Sequence, residues 1–145
     1  MITEKDLQII SHLRKNNRQT ISKISKETGI PMTTVYDRIK MYDKNSIIKK
    51  SVCLLDFSKL GYHIKAHFAL KVEEKGQFLQ FIGKQTCLNS LYRINHGFDF
   101  LMELIFKDMN EAKAFAENIE KNFTIQNSQF YYILEDLKQE EFLGK

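Results

Sequence analysis

Residues Thr20 to Lys44, TISKISKETGIPMTTVYDRIKMYDK, restrict the fold more than any other stretch of this chain. Thr20 can cap a helix that Ile21 and Ile24 open as an apolar stripe, and Gly29 stands where a helix C-terminus favours a residue tolerant of positive φ. Pro31 fixes the chain within a residue of the start of a second helix. Val35, Ile39 and Tyr42 then recur at steps of four and three, one apolar face at about 100° per residue. Thr33, Asp37, Lys40 and Lys44 fall on the opposite face, with Tyr36 and Met41 at its edges. Two short helices joined by so tight a turn read as a helix-turn-helix. A helix with one side for a core and the other for short polar groups and lysines suits a major groove. The same pattern also describes a plain amphipathic hairpin with a solvated outer face, so the flanking chain has to decide.

The flanks add a third helix and a basic setting. Thr3 precedes Glu4, Lys5 and Asp6, a cap followed by acids near the positive end of a helix dipole. Leu7, Ile10 and Leu13, with Ile9 beside them, give helices at roughly 4–16, 21–28 and 32–44. The net charge of +4 is unevenly spread: residues 1–62 carry +6 and residues 63–145 carry −2. A basic half joined to a slightly acidic one suggests a polyanion-binding domain attached to something else. With 145 residues and 43% hydrophobic content, one or two small globular domains are expected. The apolar runs are too short for a membrane span or an export signal, so the interior of a cell is the default location. Cys53 and Cys87 form no metal-type or redox-type pair and read as small apolar residues of a reducing compartment.

After the Asn45-Ser46 break, Ile47 to Leu55 is a β-branched run with Lys49 and Lys50 at its bend. It fits a wing whose lysines reach phosphate, or equally a linker strand with solvated lysines. Phe57 to Tyr62 reads as a half-turn ended by Gly61, the expected domain boundary. From His63 the period changes to alternation through Ile64, Ala66, Phe68, Leu70 and Val72, a half-buried strand. Helical spacing over Phe78–Lys84, alternation over 90–95, a turn at His96–Asp99, a strand over 100–106, a helix after Asp108 and a strand over 125–134 complete the order β-α-β-β-α-β. The expected fold class is therefore α+β: a winged helix-turn-helix over 1–50, a linker strand and hinge over 51–62, and a ferredoxin-like βαββαβ domain over 63–145. Helices would cover one sheet face, leaving the other, with Phe68, Tyr92 and Tyr131 as candidates, to be covered by a second copy.

In its order and spacing the chain resembles the Lrp/AsnC family, the leucine-responsive or feast/famine regulators. The matching stretches are ISKISKETGIPMTTVYDRIK, NSIIKKSVCLLDFSKLG and HGFDFLMEL. The resemblance implies a prokaryotic, cytoplasmic transcription factor, dimeric or a higher homo-oligomer. Its second, RAM-type domain would bind amino acids or related small molecules. By position, Met32, Thr33, Thr34, Tyr36, Asp37, Arg38 and Lys40 occupy the recognition helix, and His96, Gly97, Phe98 and Asp99 the effector loop. Pro31 replaces the family's usual capping Ser, Asp37 a residue that is often basic or neutral, and Gly97 lies one residue nearer Asp99 than in many members.

Operator DNA is thus the expected partner, met by that helix together with Lys44, by Lys23 and Lys26 on the preceding helix, and by Lys49 and Lys50. Arg38 lies nearer the apolar stripe and can pair either with DNA or with an acid such as Asp43 or Glu27. Asp37 is either a cytosine N4 acceptor or an orienter of a neighbouring lysine. No resident cofactor is expected beyond an amino-acid effector of unknown identity. His63 and His67 are four apart, but on a strand that separates them by about 13 Å, too far to share an ion. Nucleophile–base pairs, phosphate-cradling glycine loops and spaced acid pairs are absent, which counts against an enzyme with a ferredoxin-like catalytic domain. The alternatives are a metal-responsive winged-helix sensor using Cys53, Cys87 and the histidines, or an architectural DNA-binding protein without an effector.

Overall fold

The computed structural model describes residues Met1–Gly144, and the chain divides into two compact units. One holds Met1–Leu54 together with the residues from Leu137 onward; the other is Leu55–Asp136. The chain therefore passes between units twice, where the sequence suggested a single boundary near residue 62.

In the first unit, α1 spans Glu4–Lys15, α2 Ile21–Thr28 and α3 Met32–Lys44. Each boundary has a local cause. Thr3 Oγ1 accepts from the Asp6 amide while the Asp6 carboxylate accepts from the Thr3 amide, a reciprocal capping box. Thr20 Oγ1 accepts from the Lys23 amide at 3.1 Å. Gly29, at φ 75°, ends α2 with its amide on the Ser25 carbonyl, and the Ser25 hydroxyl donates to the Ile30 carbonyl, closing the turn. Ile9, Ile24, Ile30, Val35 and Tyr42 are fully packed at the centre. Leu7, expected on the buried stripe of α1, is exposed; the stripe runs through Asp6 and Ile9 instead.

The expected wing does not form. Residues 47–56 contain no strand, and the amides of Ile47 and Ile48, at the start of the β-branched run, both turn back to the Tyr42 carbonyl. The segment from Leu137 returns to α1, where Arg14 Nε donates to the Phe142 carbonyl at 2.9 Å and its terminal nitrogens reach the Glu140 carboxylate at 3.3 Å.

The second unit opens with a short 3-10 turn at Phe57–Leu60. It continues as β1 Ile64–Val72, α4 Lys75–Gly83, β2 Leu88–Arg93, β3 Phe100–Phe106, α5 Met109–Asn122 and β4 Ile125–Tyr132. The strands lie in the order β2-β3-β1-β4 with every pair antiparallel, the ferredoxin-like arrangement. Alternation sends Ala66, Phe68, Leu70 and Val72 from β1 and Phe100, Met102, Leu104 and Phe106 from β3 to one face. There Phe78 and Ile82 of α4 and Ala112, Phe115 and Ile119 of α5 cover them. Phe68, expected on the open face, belongs to this covered side, with its ring 5.0 Å from that of Phe130. The opposite face carries Ala69, Leu101, Tyr92 and Tyr131 around a polar centre. At that centre His67 Nε2 lies 3.0 Å from a Glu103 oxygen, and the Asn89 amide donates to the other. Tyr92 and Tyr131 are 57% and 54% exposed.

Candidate nucleic-acid interface

α3 divides by exposure as its sequence period demands. Val35 and Tyr42 are buried, Thr34, Arg38, Ile39 and Met41 half-buried, and Met32, Thr33, Tyr36, Asp37, Lys40, Asp43 and Lys44 exposed. Met32 and Tyr36 leave 53% and 48% of their surface free, a large apolar area on a helix otherwise faced with polar groups. The Lys40 ammonium sits 5.0 Å from the Tyr36 ring centroid, a cation–π contact that holds both side chains on the outer face. Lys23 and Lys26 of α2, and Lys49 and Lys50 beyond α3, are likewise exposed. A lysine at each of these sites offers a phosphate a mobile point charge.

Two sequence expectations need correcting here. Arg38 pairs with neither Asp43 nor Glu27 but with Asp6 of α1. Its Nε donates to Oδ1 at 2.6 Å and a terminal nitrogen to Oδ2 at 2.5 Å, a bidentate clasp. The Tyr42 hydroxyl donates to the same Oδ1 at 2.5 Å, and Asp6 is wholly buried. The Arg38 hydrogen bonds, helped by those from Tyr42 and Thr3, hold the Asp6 carboxyl well below the usual carboxylate range against the opposing effect of burial. Burial, and then the bond to Asp6, push the Tyr42 phenol above its ordinary value. This network locks α3 to α1 and sets the angle at which the exposed face is presented. Asp37, in turn, makes no ion pair with a lysine among the described residues, so it does not orient one.

Sequence reasoning missed Asp6 as a partner, although its position carried the signal. Asp6 shares the i, i+3, i+4, i+7 stripe with Ile9, Ile10 and Leu13, and Arg38 shares another with Val35, Ile39 and Tyr42. An acid centred on one apolar stripe and a base on the next are a buried pair waiting to meet.

In the effector-type loop, His96 and Gly97 adopt left-handed backbone at φ 59° and 88°. A Cβ on Gly97 would meet only an Asn127 nitrogen 4.0 Å away, so the glycine serves the turn rather than a close approach. Asp99 is committed locally. Its amide donates to the Leu70 carbonyl, its Oδ2 accepts the Val72 amide at 3.1 Å, and Lys75 Nζ lies 3.6 Å from Oδ1. His96 stays exposed and Phe98 half-buried. Cys53 is exposed in one unit and Cys87 half-buried in the other, where burial raises its thiol pKa. No cluster of three metal-ligating side chains occurs among the described residues, and none of their helices is long and apolar enough to cross a membrane.

A family model described as winged helix-turn-helix DNA-binding matches residues 2–49. An uncharacterised HTH-type transcriptional regulator of Pyrococcus abyssi is 23% identical over 142 residues, covering 97% of each chain. Among solved structures, a transcriptional regulator from Neisseria meningitidis in complex with L-Met superposes with a TM-score of 0.87 at 19% identity, covering 96% of this chain and 94% of that one. LrpC of Bacillus subtilis gives 0.86 at 18%, covering 95% and 98%. Both units of this chain thus have counterparts in sequence order within single regulators.

Proposed function

We propose that this chain, a helix-turn-helix transcriptional regulator with the Lrp/AsnC fold, lays α3 in the major groove of an operator and self-associates through its open sheet face. A small-molecule amino acid biases that assembly. The observation that carries the reading is the outer face of α3, where seven side chains from Met32 to Lys44 are exposed while Arg38 and Tyr42 brace the helix from behind. Lys23 and Lys26 on α2 meet the phosphates flanking the groove, and Lys49 and Lys50 extend the same basic track. Two-fold pairing of heads calls for a pseudo-palindromic operator with half-sites whole helical turns apart, about 10 bp each.

Selection of bound duplexes from a random pool, with and without an amino-acid panel, tests both parts. A pseudo-palindromic consensus supports groove reading, and a consensus or affinity that shifts with one amino acid supports sensing. Recovery of no consensus leaves only architectural binding, and indifference to the panel removes the effector. Because Asp99 is occupied by the Val72 amide and Lys75, His96 and Phe98 are the loop side chains left to meet an effector.

Assembly has its own expected result. Leu101 lies half-buried on the open face between Ala69 and Tyr92. Leu101→Asp places a charge where a second copy would cover it, which is costly to desolvate. In sedimentation at micromolar concentration the natural chain should run as a dimer or larger and the variant as a much weaker associator. A monomeric natural chain removes the sheet-face interface.

A further inference from the structure

The exposed face of α3 has an unusual inventory for a groove reader. Bidentate reading of guanine needs arginine or a well-placed lysine, and of adenine asparagine or glutamine. The only arginine of α3, Arg38, is clasped by Asp6 at 2.6 and 2.5 Å, and α3 contains no asparagine or glutamine. What remains outward is a thioether, an aromatic ring with its hydroxyl, a Thr33 methyl and hydroxyl, two lysines, and the carboxylates of Asp37 and, a turn and a half further on, Asp43, neither in an ion pair among the described residues. Met32, Thr33, Tyr36 and Asp37 lie within 140° of one another on the helix, taking 100° per residue. The Met32 thioether and the Tyr36 ring match what is apolar on a base-pair edge, and in the major groove that is the C5-methyl of thymine, while the Tyr36 hydroxyl stays free to meet a phosphate. Lys40 beside the ring, with Lys44 and the α2 lysines around it, supplies the charge that brings this apolar spot against a polyanion. Asp37 is in no ion pair among the described residues; its carboxylate repels the O6 and N7 acceptors of guanine, while accepting from an exocyclic amino group.

We infer that α3 reads its operator chiefly by the C5-methyl groups of thymine, through Met32 and Tyr36, with Asp37 excluding guanine from the adjoining position. The inference rests on the groove-binding reading above and specifies what that groove must display. Thymines should recur in each half-site beneath the first two turns of α3. Lysine contacts to phosphate give affinity without choosing among sequences.

The test uses the full chain and a duplex selected by it from a random pool. Replacing thymine by deoxyuracil, position by position within one half-site, removes the methyl and nothing else. At contacted positions binding should weaken about threefold to fourfold per methyl, and Met32→Ala and Tyr36→Ala should bind the two duplexes alike at the position each one reads. Both side chains are exposed, and thermal melting of each variant checks that the fold is kept. The thymine/uracil comparison on the natural chain needs no variant at all. Equal affinity for both duplexes overturns the inference, as does a methyl penalty that survives in both variants, or a consensus without thymine in the half-sites. Each of those results leaves groove binding standing. Failure to select any duplex removes groove binding and this inference together.

Discussion

Asp6→Ala should unfold the helical unit at ordinary temperature or bring it close to unfolding. Asp6 is wholly buried and accepts from Arg38, Tyr42 and the Thr3 amide. Removing it strips the partner from an arginine, leaves a buried phenol without an acceptor and opens the cap of α1. Breaking a buried pair from one side costs about 3–5 kcal/mol, a large part of the 5–15 kcal/mol that holds a typical domain together. Arg38 is one-third exposed, so water softens its loss, and the cost comes mainly from the groups sealed inside. Denaturant unfolding of the full chain followed by circular dichroism should show a separate early helical transition. Arg38→Met combined with Asp6→Leu should cost less than Asp6→Ala alone, because two apolar groups leave nothing charged behind. Equal stability of Asp6→Ala and the natural chain would show that the clasp contributes nothing. The pH dependence has a definite sign. A carboxyl held below its ordinary value stabilises the fold above the ordinary aspartate range, and that contribution is lost as pH falls through the lowered value. The helical unit should therefore weaken only in strong acid, below about pH 4.

The contribution of one head to DNA binding should fall about a thousandfold between 50 and 200 mM salt if six of its exposed lysines, Lys23, Lys26, Lys40, Lys44, Lys49 and Lys50, meet phosphates. Each neutralised phosphate contributes a slope of about −0.9 to the plot of log affinity against log salt, so six give roughly −5. A lysine that donates to a base edge drops out of the count. Lys40→Ala should lower the slope by about one if Lys40 reaches phosphate, or leave the slope unchanged while reducing affinity if it reaches a base. Lys75→Ala, in the sheet unit beside Asp99, should do neither. A slope near zero, or equal losses from Lys40→Ala and Lys75→Ala at one fixed salt, would remove the six-lysine track.

The difference between what the sequence disclosed and what it hid follows from the range of the forces involved. The three helices and the order βαββαβ were legible because caps, Gly29 and the change from helical to alternating period are local. Residues 47–56 misled because a β-branched run states a preference for strand but not a partner, and here the first two amides, of Ile47 and Ile48, turn back to the Tyr42 carbonyl. Phe68 was assigned to the wrong sheet face because alternation tells which residues share a face and not which face the helices cover. The outward set on α3 was readable from a helical wheel. The destination of Arg38 was not, since Asp6 lies thirty-two positions away and only packing α1 against α3 brings the two together. Asp99 looked free for a ligand because its claimant is a backbone amide of another strand, at Val72.

The position of β1 sets an order of events during synthesis. Every contact that builds the core of α1, α2 and α3 is available once residue 48 or so has left the ribosome. β1 follows at once, yet it is an inner strand whose neighbours are β3 and β4, and Ile64 must wait for Phe106 and Ala66 for Tyr132. Through that interval Phe68, Leu70 and Val72 have no partner strand, and only Phe78 and Ile82 of α4, which follows directly, can cover them. A nascent chain at this stage is a packed three-helix head, still without the segment from Leu137, tethered to a strand that lacks both neighbours, and at synthesis rates of about 5–20 residues per second the exposure lasts for several seconds. Two such chains on neighbouring ribosomes can pair through β1 before either completes its own sheet. Translation speed over the stretch that encodes β2 and β3 therefore bears on how much protein reaches the native sheet, quite apart from its final stability.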